Sequence, residues 1–229
     1  IGVPTARRKV SLRDNRMLPD LAVIDPALPD GTPKSVTLAS GLDAITQVIE
    51  PYLGTKANRL TDALCRDAIP LGLAALIRLT EAEDATARED LAWVSLCGGL
   101  ALANAGLGAV HGLAGPIGGA APAPHGAVCG ALLPPVLAAN AKTAKGVSAG
   151  RISEVQNWIS RAFEVETDHA ITALQRWSTH HGLSRLSQMG LRQDDLQDIA
   201  QASLGSSSMR GNPVVLTLGE LMDILYAAY

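Results

Sequence analysis

Aromatic side chains make up only 3% of the chain, with one Phe, three Trp and three Tyr. Ala, Leu and Gly abound instead, which suits closely packed helices built from small residues better than a β-sandwich. The cysteines, Cys65, Cys97 and Cys129, are three in number and lack CxxC spacing. That argues against a disulfide framework and fits a reducing cytoplasm. No apolar run reaches the ~20 residues that a membrane span requires, and the opening "IGVPTARRKV" has no signal-peptide core. Positive charge is not in excess either: the net charge is -3, so nothing electrostatic points to nucleic acid or an anionic membrane as partner. A GxSxG elbow and a P-loop are missing. The glycines of "GPIGGA" (115–120) follow no strand and make no dinucleotide fingerprint. The chain does not begin with Met, which suggests a piece of something longer.

What is there is a 229-residue chain, 47% apolar and 18% charged, enough for one large globular domain or two small ones. Residues 1–25 differ from the rest. "RRKVSLRDNRMLPD" is basic and irregular and reads as a solvated loop. "LAVID" (21–25), ended by Pro26, reads as a short buried strand whose sheet partners must lie outside this sequence or in another copy. From about residue 34 the spacing is helical. The first helix spans "SVTLASGLDAITQVIEPYLG" and stops at Pro51 or Gly54. The second starts at the N-cap Asn58 and carries Pro70 as a kink. The third, "TAREDLAWVSLCGGLALANAGLG", has acids in its first turn and an almost uncharged centre that places it mid-core. A short helix around His111, a tight loop through "GGAAPAP" and a new helix near His125 follow. Further helices are expected around 151–163, 167–181, 192–203 and 217–228, the last capped by Thr217 after a turn in "SSSMRGNPVVLT".

In "GLDAITQVIE" (41–50), Asp43, Gln47 and Glu50 fall on one helical face within an apolar run. A metal site would explain them. Asp43 offers a carboxylate oxygen, Gln47 an amide oxygen, and His111 and His125 imidazole nitrogens, a mixed set that suits Zn²⁺ or Fe²⁺. Glu50 would then orient a ligand from behind, and the glycine after each histidine would let a ligand approach the backbone. Ordinary structure explains each piece as well. Ser40-x-x-Asp43 resembles a capping box, and a His beside Gly is commonly just packed. His180-His181 sits at a helix end where a cation suits the dipole, His169 reads as exposed, and Cys97 and Cys129 read as small core residues.

Two segments, "PDLAVIDPALPDGTPKSVTLASGLDAITQVIEPYLG" and "GLGAVHGLAGPIGGAAPAPHGAVCGALLPPVL", resemble the metal-binding half of the iron-containing (group III) alcohol dehydrogenases. The likeness runs on through "RGNPVVLTLGELMDIL". Asp25, Pro33, Ser40, Asp43 and Glu50 match the family's signature spacing, as do His111-Gly112 and Pro124-His125-Gly126. The resemblance implies a mainly α, multi-helix fold of the dehydroquinate synthase-like type with a short remnant strand at the N-terminus. Residues 1–25 would be the strand and loop left from a nucleotide-binding domain, and residues 26–229 the helical metal-binding domain. The family's ligands to one divalent metal, Fe²⁺ or Zn²⁺, land on Asp43, Gln47, His111 and His125. Position 47 is Gln where many members have His. Position 115 is Gly where some have another active-site His, so a proton relay there is absent. Weaker binding, or a preference for zinc, would follow.

The activity implied is oxidation of an alcohol to an aldehyde or ketone with NAD(P), on a small-molecule substrate, in the cytoplasm, by a chain that pairs as a homodimer. Without most of its coenzyme domain the chain is expected to bind metal with little turnover. Two other functions compete. A dehydroquinate synthase-like lyase would need phosphate-binding Lys or Arg, and residues 100–140 contain none before Lys142. A non-catalytic helical fragment would keep only a vestigial metal site.

Overall fold

The chain, described here from a computed structural model over residues 2–3, 8–9, 14–17 and 19–229, is a bundle of α-helices, as its composition anticipates. Pro33 leads into helix α1 (Lys34–Leu53), which ends at extended Gly54. Asn58 accepts from the Leu60 and Thr61 N–H groups while Thr61 Oγ1 accepts from the Asn58 N–H. This reciprocal capping box starts α2 (Arg59–Glu81). Asp84 accepts from the Ala87 N–H to start α3 (Ala85–Ala105). The first turn of α3 itself carries no acid, so the favourable charge at its dipole comes from the cap residue. The loop ends α3 at Gly106, whose φ of 77° favours glycine. It swings the next helix, α4 (Ala109–Ala120), by 99°. A four-residue turn leads to α5 (His125–Thr143). Helices α6 (Gly146–Ala162), α7 (Ala170–His180), α8 (Leu196–Leu204) and α9 (Leu218–Ala228) complete the bundle. Thr217 and Glu220 form a second capping box at α9.

Helix α1 is the centre of the bundle. It packs on α2, α3 and α5 and is buried along most of its length, including Leu38, Leu42, Ile45, Ile49 and Tyr52. Its C-terminal end is clamped by charge. The Tyr52 hydroxyl donates to Glu154 and accepts from Arg66 at 3.1 Å. Arg151 lies 4.8 Å from the Tyr52 ring centroid while pairing with Asp62 at 2.6 Å. Helix α3, expected mid-core, is instead half-exposed: Trp93 and Leu100 keep 41% and 44% of their surface. A lack of charge says that a helix tolerates burial, not that neighbours surround it.

The strand expected at 21–25 does not form. That segment has no regular secondary structure and is exposed, with Leu21 at 79% and Val23 at 76%. A strand needs a partner edge, and among the described residues 21–25 has none. A short N-terminal strand pair lies earlier, Gly2–Val3 against Arg8–Lys9, antiparallel and beside α4. Of the basic stretch 7–20, residues 7, 10–13 and 18 lie outside the described residues. Within the rest, Arg16 and Asp14 form an exposed ion pair.

Candidate metal centre

Helix α1 begins nine residues before Asp43, so Asp43 cannot cap it, and the capping-box reading of Ser40-x-x-Asp43 is corrected. Ser40 donates to the Val36 carbonyl at 2.8 Å instead. Asp43 therefore sits mid-helix, with its side chain 17% exposed, and needs another reason to be there.

Glu50, two turns further along the same face, is buried and makes two contacts with α4. Its Oε1 accepts from the Val110 N–H at 2.7 Å, and its Oε2 lies 2.6 Å from Nδ1 of His111. A carboxylate only accepts, so Nδ1 carries a proton and Nε2 is turned to the far side of the ring. The start of α4 is fixed from below by Asn212. Its Oδ1 accepts from the Ala109 N–H at 3.2 Å, and its amide pairs reciprocally with buried Asn140. Nothing in the periodicity singled out Asn212; its place after a tight Arg-Gly turn was the only signal.

With the ring so held, His111 Nε2 lies 3.2 Å from Asp43 Oδ1. From the first residue of α5, His125 brings its Nε2 to 3.9 Å from Asp43 Oδ2. The two imidazole centroids are 5.5 Å apart. Cys129, one turn after His125, enters the same space: its Sγ is 3.8 Å from His111 Nε2 and 3.7 Å from His125 Nε2. One ligand atom from each of Asp43, His111, His125 and Cys129 falls within 4.8 Å of all the others. Asp43 Oδ1 is buried and has no hydrogen-bond partner, although His111 Nε2 stands 3.2 Å away.

The electrostatics follow from this crowding. Burial pulls the His111 imidazole down, but its contacts with Asp43, Cys129 and Glu50 outweigh that and push it up to about 12. Burial pushes the Asp43 carboxyl up, and His111 and His125 more than offset it, holding Asp43 below its ordinary value. Burial drives the Cys129 thiol up to about 12 against the opposing pull of His111. Nitrogen, oxygen and sulfur donors thus converge around an unsatisfied carboxylate oxygen, and a divalent cation that displaces the imidazole and thiol protons would find the donor set it takes.

Four sequence expectations come out differently or are sharpened. Cys129 is buried in the core as expected and also faces the cluster; the His-x-x-x-Cys spacing of 125 and 129 carries that signal, since i and i+4 share a helical face. The glycines after the histidines admit protein, not ligand. A Cβ on Gly126 would stand 2.5 Å from the Ala39 backbone oxygen, and one on Gly112 would stand 3.0 Å from Met209. Gln47 is half-buried on the Asp43 face, and its Oε1 lies 3.4 Å from where a Cβ on Gly98 of α3 would be. A Cβ on Gly115 would meet nothing within 4 Å, so open space stands where a further side chain would project. Cys97 is buried in the core as expected. His169 is exposed, and His180 and His181 meet edge to face at the end of α7.

A cleft of about 530 Å³ opens on the Asp43 side of this centre. Its walls are mostly apolar, with Leu38, Pro124, Ala127, Leu183 and Met189, and Gln188 is among the polar residues on its lining. Among the described residues no single helix is long and apolar enough to cross a membrane.

The family model described as "Fe-containing alcohol dehydrogenase family, C-terminal" matches residues 37–229. Alcohol dehydrogenase 4 of Saccharomyces cerevisiae is 32% identical over 223 residues, covering 96% of this chain and 58% of the yeast protein. Lactaldehyde reductase of Escherichia coli is 33% identical, covering 97% and 59%. Among solved structures, a 1,3-propanediol oxidoreductase aligns with a TM-score of 0.79 at 32% identity, over 90% of this chain and 55% of that one. An archaeal alcohol dehydrogenase from a Red Sea brine pool aligns over the whole chain and 59% of its own, with a TM-score of 0.88 at 21% identity, a likeness of fold. The chain thus spans under three fifths of the length of each.

Proposed function

The chain belongs to the iron-containing alcohol dehydrogenase family, and from that premise we propose that residues 26–229 are the metal- and substrate-binding domain of a metal-dependent alcohol dehydrogenase. Residues 1–25 would lead in from a coenzyme domain. Asp43, His111 and His125 would hold one divalent metal, with Gln47 the fourth family position. When bound, the metal supplies a Lewis acid that polarises an alcohol or carbonyl oxygen, and NAD(P) held by the coenzyme domain supplies the hydride acceptor or donor.

The chain's own residues do the positioning. Glu50 keeps Nδ1 of His111 protonated and so aims Nε2 at Asp43. Asn212 and Asn140 hold the start of α4 so that this aim is fixed before any ligand arrives. The apolar cleft beside Asp43 would take the carbon skeleton of a small alcohol and keep water from its reacting end. With Gly115 in place of a side chain that could carry a proton, the hydroxyl proton would leave by solvent. Alone, the domain would bind metal with little turnover.

The observation that carries this proposal is the buried, unpartnered Asp43 Oδ1 facing His111 Nε2 at 3.2 Å, with His125 and Cys129 around it. Metal analysis of the purified protein tests it. About one zinc or iron per chain, lost in a folded His111→Ala variant, is the expected result. No metal in either protein would leave a helical module with a vestigial site.

A further inference from the structure

We propose that Cys129 is a thiolate ligand of this centre, making it an Asp-His-His-Cys site that selects zinc over iron. The inference rests on the reading of the centre as a metal site and goes beyond the ligand set that the resemblance implies, which contains no sulfur.

The geometry points to Cys129 for the remaining position. For tetrahedral zinc with bonds of about 2.3 Å to sulfur and about 2.0–2.1 Å to nitrogen, the sulfur-to-nitrogen edge is about 3.6 Å, and an oxygen-to-nitrogen edge is about 3.3 Å. The observed Sγ distances are 3.7 and 3.8 Å to the two Nε2 atoms, and the Asp43-to-His111 edge is 3.2 Å. Three of the six edges thus fall near the lengths that one small cation imposes, while the Asp43-to-His125 edge, 3.9 Å, would have to shorten on binding. Cys129 is wholly buried among them, so its sulfur has the two imidazoles and Asp43 around it and no solvent. Gln47, on the Asp43 face of α1, has its amide oxygen near Gly98 of α3. All three cysteines are buried in the core, and Cys65 and Cys97 are absent from the cluster.

Chemistry then sets the choice of metal. Thiolate is a soft donor that suits zinc, whereas harder nitrogen and oxygen sets leave iron competitive. Asp43 and Cys129 together would also neutralise the charge of a divalent ion inside a largely buried site. Metal uptake would exchange the Cys129 thiol proton for the metal and release that proton to solvent.

X-ray absorption on the zinc-loaded protein reads this directly. One sulfur at about 2.3 Å alongside nitrogen and oxygen at about 2.0–2.1 Å is expected, and a shell of nitrogen and oxygen alone would overturn the proposal. Cobalt-loaded protein gives a second readout. A near-ultraviolet thiolate-to-cobalt band should be present in the natural chain and lost in Cys129→Ser, with zinc affinity falling by at least about 10-fold. A bound cobalt with no such band, or a band that survives in Cys129→Ser, would refute sulfur ligation while leaving the metal site standing. Failure of the natural chain to bind either metal would instead refute the site itself.

Discussion

Glu50 Oε2 lies 2.6 Å from His111 Nδ1, joining the last third of α1 to the first turn of α4. Through that one contact a buried carboxylate decides which face of an imidazole meets Asp43. The prediction follows for Glu50→Gln. Its carbonyl oxygen can still accept from the Val110 N–H, but its amide group opposes a protonated Nδ1. Metal affinity should fall on the order of 10–100-fold, read by competition with a chelator. Unchanged affinity would mean that Glu50 does not orient His111.

Gly126 sets how closely α5 approaches α1. With a Cβ there only 2.5 Å from the Ala39 oxygen, Gly126→Ala must push backbone against backbone. We expect a loss of about 1–3 kcal/mol in urea unfolding, with weaker metal binding as His125 moves off Asp43. A variant as stable as the natural chain would show that the contact yields easily.

Asn212 is a structural prediction of a different kind. Replacing it with Leu strands the Ala109 N–H and the Asn140 amide in a buried site. The expected cost is about 2–4 kcal/mol, from two groups that each lose a partner. Denaturant unfolding checks this, and a change under 1 kcal/mol (about the size of an ordinary substitution) would mean that water satisfies both groups.

Asp84 gives a pH dependence. Its carboxyl is held below its ordinary 3.8, first by the Ala87 N–H and then by Arg78. A lowered value means that the folded state prefers the ionised form, so this contribution is present above 3.8 and is lost as pH falls through the folded value. Asp84→Asn keeps an N-cap acceptor but removes the charge. The stability gap between the two proteins should be steady near neutral pH and should close on acidification below 3.8. A gap that does not vary with pH would contradict the assignment.

Much of this was legible in the residues. Asn58 and Thr217 announced their helices because a capping box is a local pattern, complete within four residues. Asp43, His111 and His125 were legible for another reason: polar donors on faces that should be apolar demand an explanation. Residues 21–25 misled because β pairing is settled by a partner elsewhere in space, and an apolar run cannot reveal whether one exists. Helix α3 misled similarly, since Trp93 and Leu100 are core-type residues left open to solvent. Cys129 was hidden by its own chemistry: a cysteine among Val, Gly and Ala looks like a small hydrophobe until the histidine one turn away is seen on the same face.

Crystals grown with zinc, with diffraction recorded above and below the zinc absorption edge, test the central claim most directly. One anomalous peak per chain, bounded by Asp43, His111 and His125, is the predicted result. A map with no peak there, or with zinc held only at surface histidines such as His169 or His180, would contradict it.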